Sequence, residues 1–186
     1  SILLLVSMSF SLVASAAEVN KKSELKFTDV QVESSEYDAV LYLSKKGIIN
    51  GKSKTQFCPL DNLKREEFAK ILTKAFELKD KSSHIKYNDI ANDAWYASFA
   101  KTVSASGLMI GISDNSFGVG LELSRQDLAV ILKRFIDKIE VPLKSDNVIV
   151  YADNNEISDY AKEAVLALSS TGIMEGKENN LWLPEE

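Results

Sequence analysis

The chain has 186 residues, with 22 Lys and Arg against 27 Asp and Glu, and 45% of them are hydrophobic. That is ample for a buried core, as one compact domain or as several small modules. A net charge of −5 speaks against nucleic-acid binding, which usually shows a basic surface. The single cysteine excludes an internal disulfide and a Cys-rich zinc or iron–sulfur site.

Residues 1–17 carry no charge and run through Ile2-Leu3-Leu4-Leu5-Val6 to Ala14-Ser15-Ala16-Ala17. An apolar stretch ending in Ala-x-Ala predicts a secretory signal peptide, too short and too Ser-rich for a membrane span. The initiating Met and basic n-region are missing from it, so the sequence is expected to start inside its natural N-terminus. The mature protein is expected to be secreted.

A repeat organises the remainder of the chain. Phe27-Thr28-Asp29-Val30 returns as Tyr87-Asn88-Asp89-Ile90, 60 residues later. Gly47 and Gly51 return as Gly107 and Gly111, Phe57 as Phe117, Arg65 as Arg125, and Ile71-Leu72 as Ile131-Leu132, all at the same offset. A third copy opens with Tyr151-Ala152-Asp153 and continues to Gly172, Gly176, Trp182 and Pro184, with its glycines 65 residues beyond those of the second copy. Fixed periods of this length mark stacked supersecondary units that share a core. The predicted organisation is a signal peptide at 1–17 and repeats at 24–79, 85–138 and 148–186, the last incomplete and the chain ending within it. Polar linkers are expected at about 79–86 and 138–147.

Each repeat reads as helix, loop, helix, a mainly all-α fold. Ala39, Val40 and Leu43 have helical spacing before Gly47, as do Phe99, Ala100 and Val103 before Gly107, and Ala164, Val165 and Leu168 before Gly172. Glycine there is the expected C′ residue. The G-x-x-x-G spacing suits a tight turn needing positive φ. The second helix starts with Ser124 as N-cap and Asp127 in the first turn, and Leu128, Ile131, Leu132 and Phe135 share an apolar face. In the first repeat Lys64 occupies the cap position, so Asp61 or Asn62 is expected to cap instead.

These motifs together carry a family resemblance. F-x-D-[VI], an apolar helix, G-[IL]-[IM]-x-G, an aromatic residue, Pro, then [ST]-R-x-[ED] resembles the S-layer homology (SLH) domain, whose usual form has a Thr-Arg-Ala-Glu signature and occurs in threes. The likeness covers Phe27 to Glu186. The chain departs from the pattern at Lys64-Arg65-Glu66-Glu67 and Ser124-Arg125-Gln126-Asp127, at Val119 in place of Pro, and at Ser35 and Tyr160 where Trp95 carries the usual tryptophan. The resemblance implies a pseudo-threefold, three-pronged helical module with a shared core. It also implies non-covalent anchoring to a secondary cell-wall polysaccharide, often bearing pyruvate ketals, held in grooves between prongs at the bacterial cell surface. In some Gram-negative lineages similar domains tie an outer-membrane protein to peptidoglycan.

An anionic sugar needs cations and donors. Arg65 and Arg125 start helices, where free N–H groups and the dipole favour an anion and a guanidinium offers a bidentate fork. Replacing both with Ala is expected to weaken binding and leave helicity unchanged. Asp29, Asp89 and Asp153 could accept from sugar hydroxyls or hold a loop. Trp95 could stack on a sugar or pack in the core, and Gly51 and Gly111 could let a ligand approach the backbone or serve a turn. Phe57, Phe117 and Trp182 read as core.

Catalytic patterns are missing: His84 is the one histidine, and neither a nucleophile elbow nor a phosphate loop occurs. Asp153-Asn154-Asn155-Glu156 lacks the spacing and glycine of a calcium loop. The expectation is a non-catalytic module with no cofactor and no metal, partnered by a cell-wall polymer and capable of self-association in a surface layer. The alternatives are a structural or docking module with decayed polymer sites, and the anchor of a larger surface enzyme.

Overall fold

A computed structural model describes residues 25–79, 87–144 and 147–186. The signal peptide predicted at 1–17, His84 and most of the first expected linker lie outside the described residues. The chain divides into two compact units, Ser1–Leu60 and Asp61–Glu186. Among the described residues the regular structure is five α-helices and one short 3-10 helix, with no strand.

The first unit holds α1 (Tyr37–Lys45), with Tyr37 and Val40 buried, Asp38 in the first turn and Lys45 in the last. Those charges complement the helix dipole. The helix ends as its sequence predicts. Gly47 has φ 68°, its N–H donates to the Ser44 carbonyl at 2.9 Å, and the Ile48 N–H donates to the Leu43 carbonyl at 3.0 Å. That pair of bonds is the Schellman closure, open to glycine because it lacks a Cβ. The same bonds recur at Gly107 and Gly172.

The second unit contains α2 (Arg65–Ala75), α3 (Ala97–Ala105), α4 (Arg125–Lys138), α5 (Lys162–Ser170) and the 3-10 helix Glu178–Asn180. The packing is out of phase with the sequence repeat: α2 packs on α3, and α4 on α5. Each pair joins the second helix of one repeat to the first helix of the next. Equivalent positions fill both cores, with Ala69, Ala100 and Val103 in one and Ala129, Val165 and Leu168 in the other. Small residues let helix axes approach, and full burial of Val103 or Leu168 contributes about 1.5–3 kcal/mol each. The expected sharing of core between repeats therefore operates helix by helix.

Two local expectations change. Lys64 itself is the N-cap of α2; its N–H donates to the Glu67 carboxylate at 3.0 Å, half of a capping box, so neither Asp61 nor Asn62 is needed. The second glycine of each G-x-x-x-G does not have positive φ. A Cβ at Gly51 would lie 2.4 Å from the Phe27 ring, and one at Gly111 would lie 2.6 Å from the Tyr87 ring. Loop carbonyls stand at least as close, Gln56 at 2.3 Å from the Gly51 position and Ser116 at 2.4 Å from the Gly111 position. The glycine is therefore required by the close approach of both the following loop and the aromatic residue that opens the repeat, not by positive φ.

Positive φ falls elsewhere, at Cys58 (60°), Gly118 (88°) and Leu183 (58°), the same position in all three copies. A side chain in this region costs about 1–2 kcal/mol relative to glycine. Glycine also loses more backbone freedom on folding, which offsets part of the gain. Cys58→Gly is therefore expected to stabilise the first unit by about 0.5–1 kcal/mol, read as a higher urea midpoint at unchanged slope. An unchanged or lower midpoint would show that the left-handed residue is unstrained.

Candidate functional site

The left-handed residue exists to serve the recurring aspartate. In the second repeat the Asp89 carboxylate accepts from the backbone N–H groups of Phe117 (2.9 Å), Gly118 (2.7 Å) and Val119 (3.0 Å) and from the Ser116 hydroxyl (2.8 Å). A residue in the left-handed region lets successive N–H groups of a loop converge on one anion. Asp29 likewise accepts from Phe57 and Cys58, and Asp153 from Trp182 and Leu183. In each repeat the carboxylate ties the loop before the first helix to the segment before the second. Burial works to raise the Asp89 value, but the bonds from Phe117, Val119, Ser116 and Gly118 outweigh it and hold the carboxyl at about 2. Asp29 and Asp153 are lowered too, the first chiefly by the Phe57 amide, the second by the Trp182 and Leu183 amides against its burial.

The arginines form a second recurring device. Arg65 is 7% exposed; its Nε donates to the Phe117 carbonyl at 3.0 Å and its Nη2 to the Ile110 carbonyl at 2.9 Å, with the guanidinium 5.3 Å from the Phe117 ring centre. Arg125 repeats this one module on, donating to Trp182 (3.0 Å) and Glu175 (2.8 Å) with its guanidinium 4.8 Å from the Trp182 ring centre. Each arginine clasps the loop of the following repeat. The helix starts are occupied as well: the Arg125 and Gln126 N–H groups donate to the Glu186 and Pro184 carbonyls, and the Asp127 N–H donates to the Ser124 hydroxyl. The Arg65 N–H donates to the Leu121 carbonyl. The N-terminus of α4, expected from the sequence to be open, is thus filled by the chain itself, and that of α2 is filled at its first N–H.

One edge of Arg65 remains available. It lines a cleft of about 420 Å³ together with Ile110, Gly111, Ile112, Asp127, Arg134 and Tyr160. Arg65 Nη1 stands 3.7 Å from the Asp127 carboxylate, whose other oxygen accepts from the Tyr160 hydroxyl at 2.9 Å. Burial lowers the Arg65 value and nearby Asp127 opposes this. Burial, then the bond to Asp127, raises that of Tyr160. Arg134, on the same side, reaches the Leu108 carbonyl at 3.4 Å through Nη1. Ile110 and Ile112 are 53% and 56% exposed, so the cleft offers apolar walls beside two cations and one anion.

Of the residues singled out in the sequence, the cleft gathers Arg65 and Gly111. Arg125, Asp89 and Asp153 are not among its lining residues, and Asp29 and Gly51 belong to the first unit. Trp95 is exposed, edge-on to Tyr96 and beneath the Lys70 ammonium at 5.7 Å, which favours the surface reading over the core one. Phe117 and Trp182 are fully buried. Sequence reasoning misses Asp127, Arg134 and Tyr160 as site residues. The signals that could find them are that Tyr160 fills the Trp95 position and that Arg134 matches Lys74 at the 60-residue offset. Among the described residues no metal-binding group of His, Cys, Asp and Glu occurs, and no helix is long and apolar enough to cross a membrane.

The pattern of the S-layer homology domain matches residues 26–69, 86–129 and 150–184. The chain belongs to the S-layer homology domain family. SLH repeats are cell-surface anchoring modules, and the arginine clasps and carboxylate cradles recur at matched positions within them. The chain is 31% identical to the surface-layer 125 kDa protein of Lysinibacillus sphaericus over 162 residues, 83% of this chain and 14% of that protein. It is 25% identical to an S-layer protein of Bacillus thuringiensis subsp. finitimus over 97% of this chain and 22% of that protein. It is also 25% identical to the exoglucanase XynX of Acetivibrio thermocellus, over 88% of this chain and 15% of that protein. The SLH chain thus spans under a quarter of each of these relatives.

Proposed function

We propose that these SLH repeats are a secreted, non-catalytic anchor that holds its protein to the cell wall by binding an anionic secondary cell-wall polysaccharide, with a ketal-linked pyruvate carboxylate as the group recognised. The cleft carries this reading. Arg65 is oriented by two carbonyl bonds, and its remaining edge shares the cleft with Arg134 between apolar walls. A sugar carboxylate would meet charge-assisted donors there, while its ring lies on Ile110 and Ile112. On an acidic protein such recognition is local, without long-range steering. Trp95 with Lys70 above it supplies a second aromatic and cationic surface for the same polymer. Relatives that are S-layer proteins and a relative that is an exoglucanase both fit an anchor serving different cargoes, including a larger surface enzyme.

Purified cell walls should sediment the protein, and walls stripped of their polymer should not. Arg134→Ala should weaken wall binding about 10-fold while circular dichroism stays unchanged, since a charge-assisted contact is worth about 1.5–3 kcal/mol. Equal sedimentation with stripped walls would point instead to a self-assembling or protein-docking module.

A further inference from the structure

Asp127 stands where an anionic ligand would not want it. Its Oδ2 is 3.7 Å from Arg65 Nη1, outside hydrogen-bond reach, so the two are attracted without being joined. Its Oδ1 accepts from Tyr160 at 2.9 Å. The three residues come from three successive repeats, and all three line the cleft. Arg65 is fixed on its other edge by Phe117 and Ile110 and cannot move toward the carboxylate without breaking those bonds. Tyr160 and Arg65 thus face the two oxygens of one carboxylate, the first in a hydrogen bond and the second at ion-pair distance.

Resting on the anionic-polymer reading, we propose that Asp127 is an electrostatic brake on this cleft and that Tyr160 sets how hard it acts. A ligand carboxylate reaching Arg65 Nη1 comes to rest beside the Asp127 carboxylate. The repulsion subtracts from what Arg65 and Arg134 supply, leaving a cleft with one net positive charge. That favours a monoanion over a dianion. It also keeps attachment weak at each site, so that a chain of modest contacts remains exchangeable along the polymer. Tyr160 engages one Asp127 oxygen and keeps the other from closing on the guanidinium; without the hydroxyl, Asp127 turns to Arg65 and occupies the ligand's place.

The test compares wild type, Asp127→Asn, Tyr160→Phe and the double variant for sedimentation with purified walls at low and high salt. Asp127→Asn should bind about 5-fold tighter at low salt and lose most of that gain at high salt, as screening dictates. Tyr160→Phe should bind about 3-fold more weakly, yet leave Asp127→Asn unaffected when the two are combined, because the hydroxyl acts only through the carboxylate. A sodium acetate titration followed by NMR at the Arg65 Nε–H measures the brake without the polymer. If Asp127→Asn leaves acetate affinity unchanged or lower, the brake is overturned, whatever the walls do. If it raises acetate affinity while no protein binds walls, the brake stands and the polymer reading falls.

Discussion

Arg65→Ala is expected to destabilise the second unit by about 3 kcal/mol rather than merely to weaken ligand binding. The guanidinium makes two charge-assisted bonds to carbonyls of the next repeat, at 3.0 and 2.9 Å, and is 7% exposed. Such bonds contribute about 1.5–3 kcal/mol each, and the carbonyls they leave behind lose their partners. The contact with the Phe117 ring is lost as well. Relief of the arginine's own desolvation returns part of the total, so the net falls below the simple sum. In a unit of this size that lowers the melting temperature by roughly 10 °C. Arg65→Lys should recover little, because a single ammonium cannot place two N–H groups at the angles of the planar fork. Thermal unfolding followed by circular dichroism checks both variants; an unchanged melting temperature for Arg65→Ala would show that the clasp carries no net stability. The double alanine variant suggested by the sequence alone would therefore confuse unfolding with lost affinity, and Arg134→Ala is the cleaner probe of binding.

Asp89→Asn should cost about 2–3 kcal/mol. Four donors converge on this carboxylate, and an amide in its place presents one oxygen to them and turns an N–H2 toward the remaining donors. The charge also makes the fold acid-sensitive. The Asp89 carboxyl is held at about 2 against an ordinary 3.8, so its folded form is depressed. Its stabilisation is complete above the unfolded value and is lost as pH falls through the folded one. Wild-type stability should thus decline from about pH 4 to about pH 2, with Asp29 and Asp153 acting in the same direction. Asp89→Asn should show a shallower acid limb. Urea titrations from neutral pH down to about pH 2 measure this, and parallel limbs for the two proteins would remove Asp89 from the account.

The two devices explain one another. Asp89 gathers the N–H groups of residues 117–119, and Arg65 takes the carbonyl of Phe117. The same short segment is held by an anion from its own repeat and a cation from the repeat before. A Cβ at Gly118 would lie 3.0 Å from Arg65 Nε, so glycine there satisfies the left-handed turn and the clasp at once. Chaining of this kind lets small repeats with little apolar surface of their own order one another.

Local elements were legible in the sequence alone. The 60-residue period can be read off the sequence by comparing it with itself. The C′ glycines, the Ser124 cap and the apolar spacing on α4 act over a few residues, and their physics is complete at that range. The repeated signatures were also enough to name the family. Tertiary structure alone decided how the elements meet. Nothing near Arg65 distinguishes a solvent-facing guanidinium from one bonded to carbonyls 45 and 52 residues away. Nothing near Asp89 says that its acceptors will be filled from 28 residues downstream. Pairing of α2 with α3 across the repeat boundary depends on which apolar faces bury best together, a comparison between distant segments. The cleft, made from residues of three repeats that no single motif connects, is a consequence of that choice.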